Sequence, residues 1–136
     1  MIGLNAYLHF DGNTREAMIF YQSCFGGELF LQTVSETAMS AQMPEDLQTQ
    51  VVHASLIKEN MTIFASDMIG IHGITKGNSM SLCINCSSIE EINKLYKNLV
   101  KEGQADHELS EAFWGSTFGD LTDKFGIHWM LIYDKI

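Results

Sequence analysis

Basic side chains are scarce. The 136 residues include a single arginine, Arg15, and the eight Lys and Arg together face 17 Asp and Glu, giving a formal charge of −9. A surface of that sign repels phosphate backbones, and the few cations form no dense patch, so no nucleic acid partner is expected. Proline occurs once and no polar tract is long, while apolar residues make up 46% and aromatics 10%. Disordered and fibrous classes are thereby excluded. No apolar run approaches the ~20 residues needed to cross a bilayer, so no membrane partner is expected either. The opening "MIGLNAYLHF" lacks a basic n-region and a cleavage site, and the expected location is cytoplasmic.

Cysteine is also sparse. Cys24, Cys83 and Cys86 are too few, and odd in number, for a disulfide framework. Cys83 and Cys86 do match a C-x-x-C pattern, but "SMSLCIN" reads as strand, where residues three apart point to opposite faces. A redox pair would need a helix N-terminus to lower the first thiol's pKa, and a zinc site would need a second ligand pair. Neither is present in the pattern.

What remains is a chain long enough for a single domain over 1–136, with roughly two-thirds of its unfolded surface removed from water. "NAYLHF" alternates, with Ala6, Leu8 and Phe10 on one face and Tyr7 and His9 on the other, which is the period of a half-buried strand. After the turn "DGN" a helix is expected from about Thr14 to Cys24. Asn13 is its predicted N-cap, Glu16 completes a capping-box-like pair, and Ala17, Phe20, Tyr21 and Cys24 form the apolar stripe up to Gly26 and Gly27. Strands follow in "ELFLQTV" from Glu28, "QVVHASLIK" from Gln50 and "MTIFASD" from Met61, the last two joined at Glu59 and Asn60. The polar, Met-bearing stretch "SETAMSAQMPEDLQT" is too long for a hairpin, and connections of this length often serve as lids or flexible segments.

The same order then recurs. "SMSLCINC" reads as strand, Ser88 and Glu91 as a capping box, and Ile89, Ile92, Leu95, Tyr96 and Leu99 as a helical stripe ended by Gly103. Strands are expected at about Gln104 to Phe113, Ser116 to Thr122 and Ile127 to Tyr133. Setting Glu16 on Glu91 also sets Tyr21 on Tyr96. The fold class is therefore α+β, two tandem βαβββ modules (about 1–70 and about 78–136) with "IHGITKGN", Ile71 to Asn78, as linker. One helix covers only one face of a four-stranded sheet, so two modules are expected to form a cupped mixed sheet with the helices on the outer side.

Parity assigns the lining of that cup. Tyr7, His9, His53, Ser55, Thr62, Phe64 and Ser66 fall on the concave face of the first module, and Ser79, Ser81, Cys83, His128, Met130 and Ile132 on that of the second. Trp129, Leu131 and Tyr133 are expected under the helix. His9, His53 and His128 are the candidate catalytic residues, since imidazole titrates near neutrality and also ligates zinc, iron and nickel. Hydrogen-bonded histidines on a mixed-polarity face are the alternative, and no Asp or Glu alternates with them to complete a facial triad. In "FWGSTFGDLTDKFGIHWMLIYD", Trp114 and Phe118 share a parity and suit a ring-lined wall for a flat ligand, with core packing as the competing explanation.

"YLHFDGNTREAMIFYQSCFGGEL", "VVHASL", "IFASD" and "FWGSTFGDLTDKFGIHWML" together resemble the PhnB-like branch of the glyoxalase, bleomycin-resistance and extradiol-dioxygenase superfamily, the vicinal oxygen chelate proteins. The similarity covers nearly the whole chain. It implies a paired βαβββ fold, commonly a homodimer, with a central cupped site. Members of the branch are often labelled demethylubiquinone methyltransferase-like, although nothing here resembles an S-adenosylmethionine site.

The wider superfamily holds a divalent metal with His, Gln or Glu, and the resemblance carries those positions to near Tyr7, to near Ser79 or Ser81, to Phe64 and to Met130. None is an expected ligand type, so no metal residues are assigned and no cofactor is expected. A displaced divalent metal site using His9, His53 and His128 is the alternative. Two functions follow. The first is metal-independent binding of a small molecule, cationic and aromatic in character, by Tyr7, Ser55, Phe64, Ser81, Trp114, Phe118 and Met130 beside the carboxylates of Asp67 and Asp120. The second is a lyase, isomerase or transferase in which His9 or His53 removes a proton and Tyr7 or His128 stabilises the resulting anion.

Overall fold

The computed structural model describes residues 1–69 and 73–134. The fold is α+β, built from two repeated modules, each a four-stranded mixed sheet with one helix. The chain divides into two compact units, Met1–Thr75 and Lys76–Ile136. The expected linker begins in residues 70–72, which lie outside the described residues.

In the first unit, β1 (Ala6–Phe10) runs parallel to β4 (Met61–Asp67), which pairs antiparallel with β3 (Val51–Lys58), and β3 pairs antiparallel with β2 (Glu28–Thr33). The sheet order is β1-β4-β3-β2. α1 (Thr14–Phe25) packs across β3, β2 and β4, burying Thr14, Ala17, Met18 and Tyr21 against Phe10, Ala54, Leu56, Ile63 and Ala65. The buried stripe differs from the expected one: Met18 is inside, while Phe20 and Cys24 are half-buried. Positions 14, 17, 18 and 21 lie on one line along a 3.6-residue helix, with 20 and 24 at its flank. Gly26, at φ 77°, ends the helix with its N–H donating to Gln22 O at 2.8 Å.

The cap of α1 also departs from expectation. Asn13 makes no side-chain cap bond. Its place is taken from across the sheet by Asp67, whose Oδ1 accepts from Gly12 N (3.0 Å), Thr14 N (3.1 Å) and Thr14 Oγ1 (2.7 Å). Asp67 Oδ2 accepts from Val51 N at 2.8 Å, so one buried carboxylate ties the helix start to the first residue of β3. Asp67 reaches the helix because Phe10, which leads into it, is its register partner.

The long connection after β2 is wound into 3-10 turns at Val34–Glu36, Ala38–Gln42 and Glu45–Leu47. Its ends are closed by Val34 N to Gln50 O and Ser35 N to Gln48 O, and the Gln48 amide donates to Ser40 O and Met43 O. Glu36 accepts from Thr33 N and Thr33 Oγ1 at 2.9 Å each, bonds that hold its carboxyl below the usual range, the backbone bond first.

The second unit repeats the arrangement. β5 (Leu82–Asn85) runs parallel to β8 (His128–Tyr133), followed by β7 (Thr117–Thr122) and β6 (Gln104–Glu111), in the order β5-β8-β7-β6. α2 (Ile89–Leu99) buries Ile92, Leu95, Tyr96 and Leu99 over Leu121, Trp129 and Leu131. Ser88 Oγ accepts from Glu91 N at 3.1 Å, as a capping residue should. The Glu91 carboxylate returns to Ser87 N rather than to Ser88, so the box is displaced by one residue.

Two strands are shorter than expected. The ladder of β5 starts at Leu82 opposite Trp129, leaving Ser79 and Ser81 ahead of it. β6 stops at Glu111, where Ala112 N to Ser116 O and Gly115 N to Ala112 O form a turn. The β7–β8 turn is organised by buried Asp123, which accepts from Phe125 N, Ile127 N and Trp129 Nε1.

Candidate functional site

Most of the candidate residues lie on strands, on the sheet face opposite the helix; Trp114 lies in the turn after β6 and Ser81 ahead of β5. In the first unit, the register sets Tyr7 beside Phe64 and Phe64 beside Ser55, with His9 and His53 two residues away along their own strands. The result is a row of four rings: His9 to Tyr7 at 5.1 Å, Tyr7 to Phe64 at 6.1 Å and Phe64 to His53 at 5.6 Å between centroids. Tyr7, 46% exposed, and His9 are open to solvent, while Phe64 and His53 are half-buried. Such a surface offers ring faces for stacking, and at its ends imidazoles that can donate, accept or move a proton. The two imidazoles are separated along the row by Tyr7 and Phe64. Ser55 lies on the same face between Phe30 and Phe64 but is buried.

Phe30, 58% exposed and opposite Ser55, extends this surface and was absent from the expected lining. The parity of "ELFLQT" was the available signal, since Leu29 and Leu31 turn to the other side. Asp67, expected beside a ligand, is buried and engaged by the four donors described above. It also borders a cleft of about 530 Å³ at the start of α1, which none of the three candidate histidines lines.

In the second unit Trp114 stacks on Phe118 with centroids 5.9 Å apart and planes inclined by 16°, and Phe113 meets Trp114 edge-on at 4.9 Å. Trp114 is 59% exposed. Phe118, Asp120 and Thr122 share a face of β7, alongside Ile132, Met130 and His128 of β8. Asp120 Oδ1 is 2.8 Å from His107 Nδ1 of β6. Beneath them the Tyr96 hydroxyl shares its one hydrogen between the backbone oxygens of His107 (3.1 Å) and Asp120 (2.9 Å). Burial pushes that phenol upward, helped by Asp120, Glu108 and Asp106. His128 has both ring nitrogens engaged, Nδ1 with Thr122 Oγ1 at 2.8 Å and Nε2 with Gly77 O at 3.0 Å. Ser81 lies just ahead of β5.

The register also tests whether a superfamily-type metal would fit. Tyr7 faces Phe64, and phenylalanine carries no donor atom. In the second unit the residue opposite Met130 is Cys83, one pair further than the carried-over Ser79 or Ser81, so this position offers a thiol and a thioether. Soft sulfur donors do not match the His, Gln and Glu set that holds hard catalytic dications, and the positions do not fit such a metal. Among the described residues, no group of three or more His, Cys, Asp or Glu side chains is placed to hold one.

A family model described as 3-demethylubiquinone-9 3-methyltransferase matches residues 3–132. Protein YjdN of Escherichia coli K12 is 31% identical over 137 residues, covering 94% of this chain and 92% of its own. Among solved structures, protein PA1353 from Pseudomonas aeruginosa superposes with a TM-score of 0.86 at 28% identity over 98% of each chain. A putative 3-demethylubiquinone-9 3-methyltransferase, PhnB protein, from Bacillus cereus gives 0.75 at 26% identity, over 97% of this chain and 99% of that one. A lactoylglutathione lyase from Agrobacterium tumefaciens, 17% identical with a TM-score of 0.60 over 98% and 94% of the two chains, shares the fold. With a full-length family match, a curated relative above 30% identity and a module pair of glyoxalase type, this chain belongs to the PhnB-like 3-demethylubiquinone-9 3-methyltransferase family, on the vicinal oxygen chelate fold.

Proposed function

We propose that the chain binds a small, flat, ring-bearing molecule without a metal, on the open sheet face of Tyr7 and Phe64 in the first unit or on that of Phe118, with Trp114 beside it, in the second, and that it works as a cytoplasmic homodimer. The observation that carries this reading is the partly exposed row His9–Tyr7–Phe64–His53, a stacking surface with Phe64 at a position where the superfamily's metal would need a donor atom. The Trp114–Phe118 stack, with Asp120 on the same face, supports a ligand of aromatic and cationic character.

Calorimetry and ligand-observed NMR with neutral and cationic aromatic compounds test it. Binding at millimolar concentration or tighter is expected for some of them, at least about −4 kcal/mol. Tyr7→Ala or Trp114→Ala removes one stacking partner worth about 0.5–1.5 kcal/mol, a loss of roughly two- to tenfold. Silence across the whole panel at millimolar concentration sinks the proposal.

The second reading is a lyase, isomerase or transferase in which His9 or His53 moves a proton. It is favoured by the imidazoles at both ends of the row and by the Tyr7 ring beside His9. Its signature is solvent deuterium entering a substrate C–H bond, abolished in His9→Gln or His53→Gln. A displaced metal in this reading is checked by equilibrating the chain with zinc, nickel, iron or manganese; less than about a tenth of an equivalent retained removes it.

A further inference from the structure

One chain of hydrogen bonds on the second unit's open face has a direction that can be counted. Thr122 Oγ1 is 2.7 Å from Asp106 Oδ2 and 2.8 Å from His128 Nδ1, and His128 Nε2 is 3.0 Å from Gly77 O. A carbonyl oxygen only accepts, so Nε2 carries a hydrogen. A carboxylate also only accepts, and the threonine hydroxyl has one hydrogen to give; given to Asp106, it leaves the hydroxyl to accept from Nδ1–H. With Asp106 as a carboxylate, all three bonds therefore require hydrogen on both ring nitrogens, the carboxylate being the counter-charge at the far end. A proton passed through Thr122 to Asp106 would make the same three bonds between neutral groups.

We propose that Asp106, Thr122, His128 and Gly77 form a proton-operated latch. With the ring doubly protonated, the segment entering β5 is tied at Gly77, through His128 and Thr122, to Asp106 on the edge strand β6. Loss of the Nδ1 hydrogen turns the Thr122 hydroxyl from Asp106 to His128 and releases Asp106, while Nε2–H keeps Gly77. The other charged and titratable groups around the ring come from each neighbouring segment. On β7 Asp120 is engaged with His107. Ahead of β5, Lys76 Nζ donates to Phe125 O. Past β7, Lys124 pairs with Glu102, and on β5 the Cys83 thiol is exposed. Gln104, on β6 opposite Thr122, bonds through its amide to the other Asp106 oxygen at 2.9 Å, so Asp106 stays placed when the hydroxyl turns away. The same face carries Phe118 and Asp120, which puts the latch on the edge of the proposed binding surface.

The test is NMR on the intact isotope-labelled chain, following the His128 ring nitrogens and the Asp106 carboxyl carbon between about pH 8 and about pH 5, where imidazole changes charge. As the pH falls, the two ring nitrogens are expected to converge to the doubly protonated pattern and the Asp106 carbon to shift in step. Thr122→Val removes the relay and leaves the ring titrating while Asp106 no longer follows; Thr122→Ser restores the coupling. An Asp106 response that is the same in Thr122→Val reports charge acting through space and overturns the latch. So does a folded chain in which Nε2 carries no hydrogen at any pH in the range.

Discussion

Replacing Asp67 by alanine removes the side chain that caps α1 among the described residues and strips four donors of their acceptor. The donors are unequal. Thr14 N and Val51 N are buried, Gly12 N is part-buried and within reach of water, and the Thr14 hydroxyl can rotate to another partner. Two buried N–H groups left without acceptors cost about 1–3 kcal/mol each, so Asp67→Ala is expected to lose about 4 kcal/mol. Asp67→Asn keeps one acceptor oxygen but turns an NH2 group toward donors that the second oxygen had satisfied, and about 2–3 kcal/mol is expected. With a urea slope of about 1–3 kcal/mol/M, the unfolding midpoint of Asp67→Ala falls by roughly 1–4 M, read by far-UV circular dichroism. Amide exchange in α1 and at the start of β3 should accelerate together, because one carboxylate holds both. If Asp67→Ala unfolds within about 0.5 kcal/mol of the parent chain, the cross-sheet cap is not a stabilising element and the account of the first unit fails.

Gly119→Ala probes the irregular β6–β7 pairing, whose register shifts between Ala105 and His107 and again between His107 and Ser110. A Cβ at 119 would stand 2.8 Å from His107 O and 3.0 Å from Leu109 N, both backbone atoms on the partner strand. The strands would have to part where Tyr96 clamps them, and a loss of about 1–3 kcal/mol is expected by thermal unfolding, against little change for Ala at exposed Gly77. Cys86 should resist alkylation while exposed Cys83 reacts, because burial, then Glu91 and Cys83, push its thiol up to about 11. Mass spectrometry after brief iodoacetamide treatment near pH 8 distinguishes them. The same shift has a stability consequence: an unfolded thiol gives up its proton near its ordinary value of 9.0, the folded one near 11, so stability falls as pH rises through that window. Cys86→Ala should flatten that part of the pH profile.

Local patterns were enough to identify the repeat, the helices and the faces. Alternation along "AYLHF" and "HWMLIY" is a property of the pleat itself, so the outward parity of Tyr7, His9, His128 and Met130 did not depend on which strand lay alongside. The stripe of α2 was legible for the same reason except at Ile89, which is exposed at the first residue of the helix, and Ser88 with Glu91 because a capping residue works within one turn. Partnerships between distant segments were decided by the tertiary structure. That Asp67 rather than Asn13 caps α1, that Cys83 rather than Ser79 or Ser81 stands opposite Met130, and that Thr122 links Asp106 to His128 all depend on register, which strand pairing sets. A periodic signal reports which side of its own element a residue faces; the identity of the neighbour across the gap depends on how far one strand has slid along another, and no local period carries that distance.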